Sequence, residues 1–424
     1  MDQVTDEIAT LLVLVAAFGY VNHRYLKLPR TIGLLLMALL ASLAALLIDA
    51  LVPGWGVGPG LRAELLEIDF PDTLMNGMLS FLLFAGALHV DLSQLRRRGW
   101  AIALMATVGL LCTTCLIGAS MWLIFGLVGL DIPLLYCLLF GALISPTDPV
   151  AVLGILKSAS VPPSLEAKIA GESLFNDGVA VVVFLILLEL TRAPAGPVGD
   201  VAGHAVLLFV QEGGGGVLLG LATGAIAFLA LRGVDEYSLE VIITIALVTG
   251  TYELAQLLHV SGPIAVVIAG LLIGNHGRRL AMSETTRRHL SDFWTLIDEI
   301  LNAVLFLLIG LEVLILRLQP AFVWASLLAI PVVLAARFLS VGGSIRLLGL
   351  WREFTPGAIR VLTWGGLRGG ISIALALSLP PSPERDAILT ACYAVVVFSI
   401  VVQGLTIGPL VRRIVPDDQA PPRH

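Results

Sequence analysis

The chain has 424 residues, of which 58% are hydrophobic and 13% are charged. Soluble domains carry about a quarter charged residues, so this composition excludes a soluble globular protein and predicts an integral membrane protein. The net charge of −6 says little, because in membranes the distribution of Lys and Arg matters more than their sum.

The four cysteines, Cys112, Cys115, Cys137 and Cys392, lie inside apolar stretches. Cys112 and Cys115 are three apart, but neither a second pair nor a nearby histidine completes a zinc site. We therefore interpret all four as small core residues and expect no cofactor. The sequence contains no G-x-x-x-x-G-K-[ST] phosphate loop, so we expect no use of ATP. We also expect no nucleic-acid partner.

Runs of about 20 apolar residues between charged or Pro/Gly-rich breaks predict an all-α protein with thirteen transmembrane spans. Span seven contains "GGGG" at 213–216, which we expect to be flexible. We place the spans near 7–22, 32–51, 73–90, 100–127, 132–156, 169–190, 203–231, 238–257, 260–274, 293–316, 321–347, 357–378 and 386–411.

The loop charges predict the orientation of these spans. With the N-terminus outside, eighteen of the 25 Lys and Arg residues fall in inside loops, four in outside loops and three within spans. This positive-inside bias supports both the odd number of spans and a cytoplasmic C-terminus. The tail after Arg413 is short, so we treat 1–424 as one transporter domain without a soluble regulatory domain.

Span five carries "SPTDP" in its middle, an unusual sequence for a transmembrane helix. Pro146 and Pro149 each remove an amide donor and clash with the preceding turn, so we expect the helix to unwind there. Irregular backbone at membrane depth is tolerated where it lines a cavity, and carbonyls beside the Asp148 carboxylate suit a small hard cation. The alternative is a merely kinked helix with Asp148 paired to a basic residue.

Span six opens with "AGESLFNDGVAVVVF", in which Glu172 and Asn176 share one helix face and Ser173 and Asp177 share another. A carboxyl group in apolar surroundings exchanges a proton or a metal ion and does not hold both, which makes Asp177 the central candidate. Helix-capping charge is the alternative for both acids, and it suits Glu172 better than the deeper Asp177.

Two of the three arginines within the spans are candidate functional residues. Arg337, in "PVVLAARFLSVGG" of span eleven, has no neutral form and needs an anionic partner. We expect that partner to be Glu172, with Asp148 or Asp177 as alternatives. Arg368, in "TWGGLRGGISIALAL" of span twelve, is surrounded by four glycines, which let backbones approach closely or let the helix break. Simple small-residue packing is the alternative for these glycines.

Four other residues are weaker candidates. Glu253 is a candidate cavity-lining residue near the outer side, whereas Asp298 and Glu299 lie near the inner end of span ten, where we expect them to be solvated. We interpret His89, near the inner end of span three, as an interfacial histidine rather than a proton relay.

Spans five and twelve are the two that Pro, Gly and polar residues interrupt. They are seven apart, so they cross the membrane in opposite directions. A pair of broken helices at corresponding positions of two oppositely oriented halves is typical of secondary transporters, whose substrate sites lie at the midplane. This repeat is inferred from position alone, since the halves share no convincing sequence identity.

In combination, several motifs resemble the NhaP-type branch of the monovalent cation/proton antiporters, which is similar to the eukaryotic sodium/proton exchangers. They are "GALISPTDPVAVLGIL", "GESLFNDGVAVVVF", "LHVSGPIAVVIAGLLIG", the arginine of span eleven and "GGLRGGISIALAL". The resemblance covers essentially the whole chain and implies thirteen helices in a homodimer. It also implies a mobile core (about 100–190 and 321–411) with an inverted repeat and two crossed, unwound helices, beside a dimerisation domain (about 1–90 and 203–316).

Residue by residue, the resemblance makes Asp177 the ion- and proton-binding aspartate, Asn176 its partner and Asp148 the acid of the unwound helix. The Asn-Asp pair implies electroneutral one-for-one exchange. We count Arg368 with the arginine of span eleven as charge-balancing. The resemblance adds the remaining ion-shell positions and the arginine that pairs with the glutamate: Thr147, Glu172, Ser173 and Arg337.

Together these features predict a secondary antiporter of the cell membrane that exchanges Na⁺ or Li⁺ for H⁺ at Asp177 and serves pH homeostasis. K⁺/H⁺ exchange by the same mechanism is the alternative substrate choice. A cation channel that uses the same acids, and an intramembrane hydrolase with Asp148 and Asp177 as acid and base, are the alternatives from other classes. The absence of H-E-x-x-H, G-x-S-x-G and G-x-G-D sequences argues against the hydrolase.

Overall fold

The computed structural model describes residues 2–52, 73–92, 102–148, 163–192, 198–277, 283–316, 319–349 and 357–414, with positions 60 and 99. Within these residues every assigned element is helical and none is a strand. Seven helices of the described chain are long and apolar enough to cross a membrane, and three shorter apolar helices accompany them. The all-α membrane fold is confirmed, whereas the count of thirteen spans stays a prediction.

The helices follow the predicted spans closely, with π-helical turns extending several of them. In chain order they are α1 Asp2–Val21, α2 Arg30–Leu51, α3 Leu79–His89, α4 Leu110–Leu127, α5 Leu134–Ile144, α6 Pro163–Arg192, α7 Val198–Arg232, α8 Tyr237–Leu257, α9 Gly262–Leu272, α10 Glu284–Leu311, α11 Pro320–Gly349, α12 Ala358–Trp364, α13 Gly370–Leu377, α14 Pro383–Phe398 and α15 Gly404–Ile414.

Serine caps fix where three of the helices begin. The Oγ atom of Ser261 accepts a hydrogen bond from the amide of Ile264 at 3.4 Å, at the start of α9. Ser382 caps α14 in the same way, with the amide of Arg385 at 3.1 Å. The third cap, Ser283, starts α10 nine residues before the predicted span ten, because polar residues extend the helix beyond its apolar part.

The tetraglycine of span seven is not a flexible break, contrary to our expectation. It lies inside the continuous helix α7, which packs closely against α9. A Cβ atom on Gly216 would lie 2.7 Å from the carbonyl oxygen of Ser261, and a Cβ atom on Gly220 would collide with the carbonyl oxygen of Ala265. The glycines therefore let two helix backbones approach, as small residues commonly do in membranes.

Helices end at the two positions where the sequence predicted interruptions, in spans five and twelve. Helix α5 ends at Ile144, and Ser145–Asp148 are not helical. The remainder of predicted span five, 149–156, lies outside the described residues. In span twelve, the non-helical stretch Gly365–Gly369 separates α12 from α13. The glycines around Arg368 thus break the helix, as one of our two interpretations expected.

The helices pack as two groups. Helices α4, α5, α6, α11, α13 and α14 contact one another around the two interruptions. A second set of contacts joins α2 to α10, α3 to α9, α7 to α9 and α8 to α9. The interrupted segments therefore lie within the first group, together with buried charged side chains such as Glu172, Asp177 and Arg337.

Replacing Gly220 by Ala tests the close contact of α7 with α9. We expect a loss of roughly 1–3 kcal/mol of stability, because the added methyl group forces the two backbones apart. A lowered unfolding temperature of the purified protein in detergent would report this loss.

Gly214→Ala is the matched control on the same helix, because no atom lies within 4 Å of a Cβ added there. Alanine has a helix propensity up to about 1 kcal/mol better than glycine, so this variant should be neutral or slightly more stable. Equal destabilisation by both substitutions would contradict the packing explanation.

Candidate ion-binding site

The two interrupted segments meet each other in the first group of helices. The backbone amide of Asp148 donates a hydrogen bond to the carbonyl oxygen of Leu367 at 2.8 Å. A Cβ atom on Gly369 would collide with the carboxylate of Asp148. The glycine-rich break of span twelve therefore makes room for the acid of span five, which the sequence placed 221 residues away.

Arg368 satisfies the carbonyl groups that the break in span five leaves without partners. In a continuous helix the carbonyl oxygen of Ser145 would accept from residue 149, but Pro149 has no amide hydrogen. The guanidinium Nη1 of Arg368 instead donates to the carbonyl oxygen of Ser145 and, at 2.7 Å, to that of Pro146. A buried cation at the end of α5 also opposes the partial negative charge of that helix C-terminus.

Thr147, Ser173 and Asn176 form a buried polar cluster between the break of span five and α6. The hydroxyl groups of Thr147 and Ser173 are 2.9 Å apart, and the Asn176 Nδ2 atom donates to the Thr147 hydroxyl at 3.0 Å. The Thr147 amide in turn donates to the Asn176 side-chain oxygen at 3.4 Å. This reciprocal pair holds the non-helical segment against α6 with hydroxyl and amide oxygens gathered together.

Arg337 and Glu172 form a buried ion pair beside this cluster. The Nη1 atom of Arg337 lies 2.5 Å from the Oε1 atom of Glu172, and the two side chains are only 8% and 2% exposed. Glu172 is therefore the partner that the sequence predicted for Arg337. A weaker contact of 3.5 Å joins the Nη2 atom to the carbonyl oxygen of Leu362 in α12.

Asp177 lies one turn further along α6 and is 7% exposed. Its carboxylate accepts no hydrogen bond from any part of the chain that the structure describes. The charged groups that act on it most are the carboxylate of Asp148 and the guanidinium of Arg368. Asp177 is thus a buried acid whose carboxylate oxygens accept no hydrogen bond from the described chain. A second acid, Asp148, and the guanidinium of Arg368 are the charged groups that act on it.

The structure brings all eight predicted site residues into this one region, and it adds others that the sequence did not indicate. The Ser399 hydroxyl accepts from the Arg368 amide at 3.0 Å, which anchors the break of span twelve to the π-helical turn after α14. Ser145 bonds through its hydroxyl to Gly141 at 2.6 Å and to Thr114 at 3.2 Å. No motif marks these hydroxyls, because serine and threonine are common within apolar helices.

Three of the four weaker candidates lie apart from this cluster, whereas the half-buried Asp298 is near enough to the carboxylate of Asp148 to interact with it electrostatically. The Nδ1 atom of His89 lies 2.7 Å from the carbonyl oxygen of Ala85, one turn earlier in α3, and Glu253 is exposed on α8. Asp298 lies about four turns into α10 rather than near its start, where the Asn302 side chain donates to it at 3.0 Å. Glu299 forms a surface ion pair with Arg30 of α2.

Comparison with known proteins identifies the group to which these features belong. The family described as "Sodium/hydrogen exchanger, transmembrane" matches residues 11–413. The Na(+)/H(+) antiporter NhaP of Pseudomonas aeruginosa is 52% identical over 417 residues, which make up 96% of each chain. The Na(+)/H(+) antiporter NhaH of Halobacillus dabanensis is 35% identical over 408 residues, 95% of this chain and 96% of that relative.

The fold also has a counterpart among solved structures. The sodium proton antiporter MjNhaP1 from Methanocaldococcus jannaschii matches with a TM-score of 0.74 over 97% of this chain and 99% of that one. At 19% sequence identity, this likeness is one of fold. The family match spans every element that contributes to the site, and the NhaP-type resemblance of the motifs is confirmed. The chain belongs to the sodium/hydrogen exchanger family.

Proposed function

We propose that the protein is a secondary antiporter that exchanges Na⁺ or Li⁺ for H⁺, with the two ions competing for the carboxylate of Asp177. The observation that carries this proposal is the environment of Asp177: a buried acid without a hydrogen-bond partner in the described chain, beside Asp148 and the hydroxyl cluster. Such an acid is stabilised by one positive charge, whether a proton or a metal cation.

The chemistry of the surrounding groups favours an alkali cation as substrate. Carboxylate, hydroxyl and amide oxygens are hard ligands, which suit hard cations. We assign the ion shell to Asp177, Asp148, Thr147, Ser173 and Glu172, with Asn176 holding the Thr147 hydroxyl in place.

The balance of charge supports one-for-one exchange. The eight residues assigned to the site include three acids, Glu172, Asp148 and Asp177, and two guanidinium groups, Arg337 and Arg368. When all five are ionised the site carries one net negative charge, so one Na⁺ or one proton neutralises it. A site that is neutral with either ion crosses the low-dielectric membrane at similar cost in both directions, and the cycle moves no net charge.

Alternating access requires one group of helices to move against another. We assign the mobile core to about 100–190 and 321–411, and a dimerisation domain in a homodimer to about 1–90 and 203–316. The two sets of helix contacts support this division, because the interrupted segments lie in the first set together with Glu172, Asp148 and Asp177. We also infer a multi-pass protein of the cell membrane, with the N-terminus outside, that contributes to pH homeostasis and needs no cofactor.

The function is tested in liposomes that enclose a pH-sensitive dye and carry an imposed proton gradient. We expect external Na⁺ or Li⁺ to dissipate the gradient at a rate that does not change when a permeant ion clamps the voltage. Asp177→Asn should be silent, because an amide neither binds a proton nor attracts a cation.

Glu253→Gln is the control for this assay, since it neutralises an exposed acid outside the site. It should transport like the wild type. If only K⁺ dissipates the gradient, the substrate is K⁺ rather than Na⁺ or Li⁺, and the proposed exchange mechanism is retained. Cation flux without proton movement would favour a channel, and exchange by the Asp177→Asn variant would remove Asp177 from its proposed role.

The ion pair of Arg337 and Glu172 provides a second test. Arg337→Met alone should destabilise the protein by roughly 3–5 kcal/mol, because it leaves a buried carboxylate without its cation. Combining it with Glu172→Gln should recover much of the loss, since neither charge then remains. Unfolding temperatures of the two single variants and the double variant measure this coupling, and additive losses would contradict a direct pair.

A further inference from the structure

A small cavity lies beside Arg337 of α11. Its volume is ≈10 Å³. Most of its wall is apolar, formed by residues such as Val333, Leu334 and Phe398. The polar side chains that line it come from four separate elements of the fold: Arg337, Thr363, Arg368 and Gln403.

Two of the polar atoms in this lining have no partner within the described chain. They are the Nε atom of Arg337 and the hydroxyl oxygen of Thr363, both buried. The buried hydroxyl of Thr390, by contrast, donates to the carbonyl oxygen of Asp386, four residues earlier in its own helix, at 2.7 Å. Buried polar groups in native proteins are nearly always hydrogen-bonded, so two orphans in one cavity call for a shared partner.

The neighbouring groups leave room and an acceptor for that partner. A Cβ atom on Gly366 would lie 2.9 Å from the Nε atom of Arg337, so only glycine keeps this side of the guanidinium open. The Nε2 atom of Gln403 donates to the carbonyl oxygen of Trp364 at 3.0 Å, which leaves the amide oxygen as an acceptor. The lining of the cavity thus includes two donors without partners, Arg337 Nε and the Thr363 hydroxyl, and one acceptor, the Gln403 amide oxygen.

We propose that one ordered water molecule occupies this cavity, accepting hydrogen bonds from Arg337 Nε and the Thr363 hydroxyl and donating to the Gln403 amide oxygen. A single water needs about 10–15 Å³ and two to four polar partners, and the cavity supplies both.

The water makes Thr363 a positioning residue for the ion pair. The water links α11, α12 and the π-helical turn after α14. It also fixes the rotation of the Arg337 guanidinium, whose Nη1 atom faces Glu172. Without it the guanidinium is held by Glu172 and by one long contact to Leu362. This role rests on the proposed function, because its effect on transport acts through Glu172 in the ion shell.

The test compares Thr363→Val, which keeps the shape and removes the hydroxyl, with Thr363→Ser, which keeps the hydroxyl. In the liposome assay we expect the valine variant to raise the apparent KM for Na⁺ about fivefold, the scale of one buried hydrogen bond, with little change in maximal rate. The serine variant should match the wild type. Thr390→Val is the control, since it removes a buried hydroxyl that bonds only within its own helix.

A high-resolution cryo-EM map of the wild type is the independent readout. We expect density within hydrogen-bond distance of Arg337 Nε in the wild type and the serine variant, and none in the valine variant. A wild-type map without this density overturns the proposal, as does an unchanged KM in a folded valine variant. If the wild type shows the density but transports no cation, the water stands and the proposed function fails.

Discussion

Placing non-helical backbone at the depth of the membrane is the constraint on which the rest of this structure depends. Each carbonyl that leaves a helix there must find a new donor, since lipid offers none. Arg368 meets this demand by donating to Ser145 and Pro146 at the end of α5. Because a guanidinium has no neutral form, the same side chain introduces a positive charge that only nearby acids can balance. The carboxylates of Asp148 and Asp177 are thus tolerated because they balance the charge of the arginine that the broken backbone requires.

Most of the polar residues named at the site are held by hydrogen bonds or an ion pair to other side chains or to the backbone. Arg337 and Glu172 hold each other, while Thr147 and Asn176 hold the unwound segment against α6. Asp177 is the exception, with no hydrogen bond from the described chain. A rigid frame around one unsatisfied acid lets a small cation or a proton bind without rearranging its neighbours, because the cost of ordering the ligands is met during folding.

The sequence was sufficient to predict an all-α membrane fold and to single out polar residues that the structure brings together around the two breaks. Hydrophobic run length indicates a span, and a buried acid or arginine is costly enough to imply function. It was not sufficient for contacts between distant segments. The bond from Asp148 to Leu367 depends on how two breaks align in space, which no local pattern encodes. The extended start of α10 was missed because hydropathy detects only apolar turns, and the tetraglycine was misread because glycine serves close packing as well as flexibility.

The central claim is that cation and proton share one carboxylate, and calorimetry tests it without any transport assay. Na⁺ is titrated into the purified protein in two buffers of the same pH but different ionisation enthalpy. Because a metal ligand must give up its proton, the difference in heat counts the protons released per bound cation. The account predicts about one proton for each Na⁺ in the wild type. Na⁺ binding with no proton release, or unchanged release in Asp177→Asn, would contradict it.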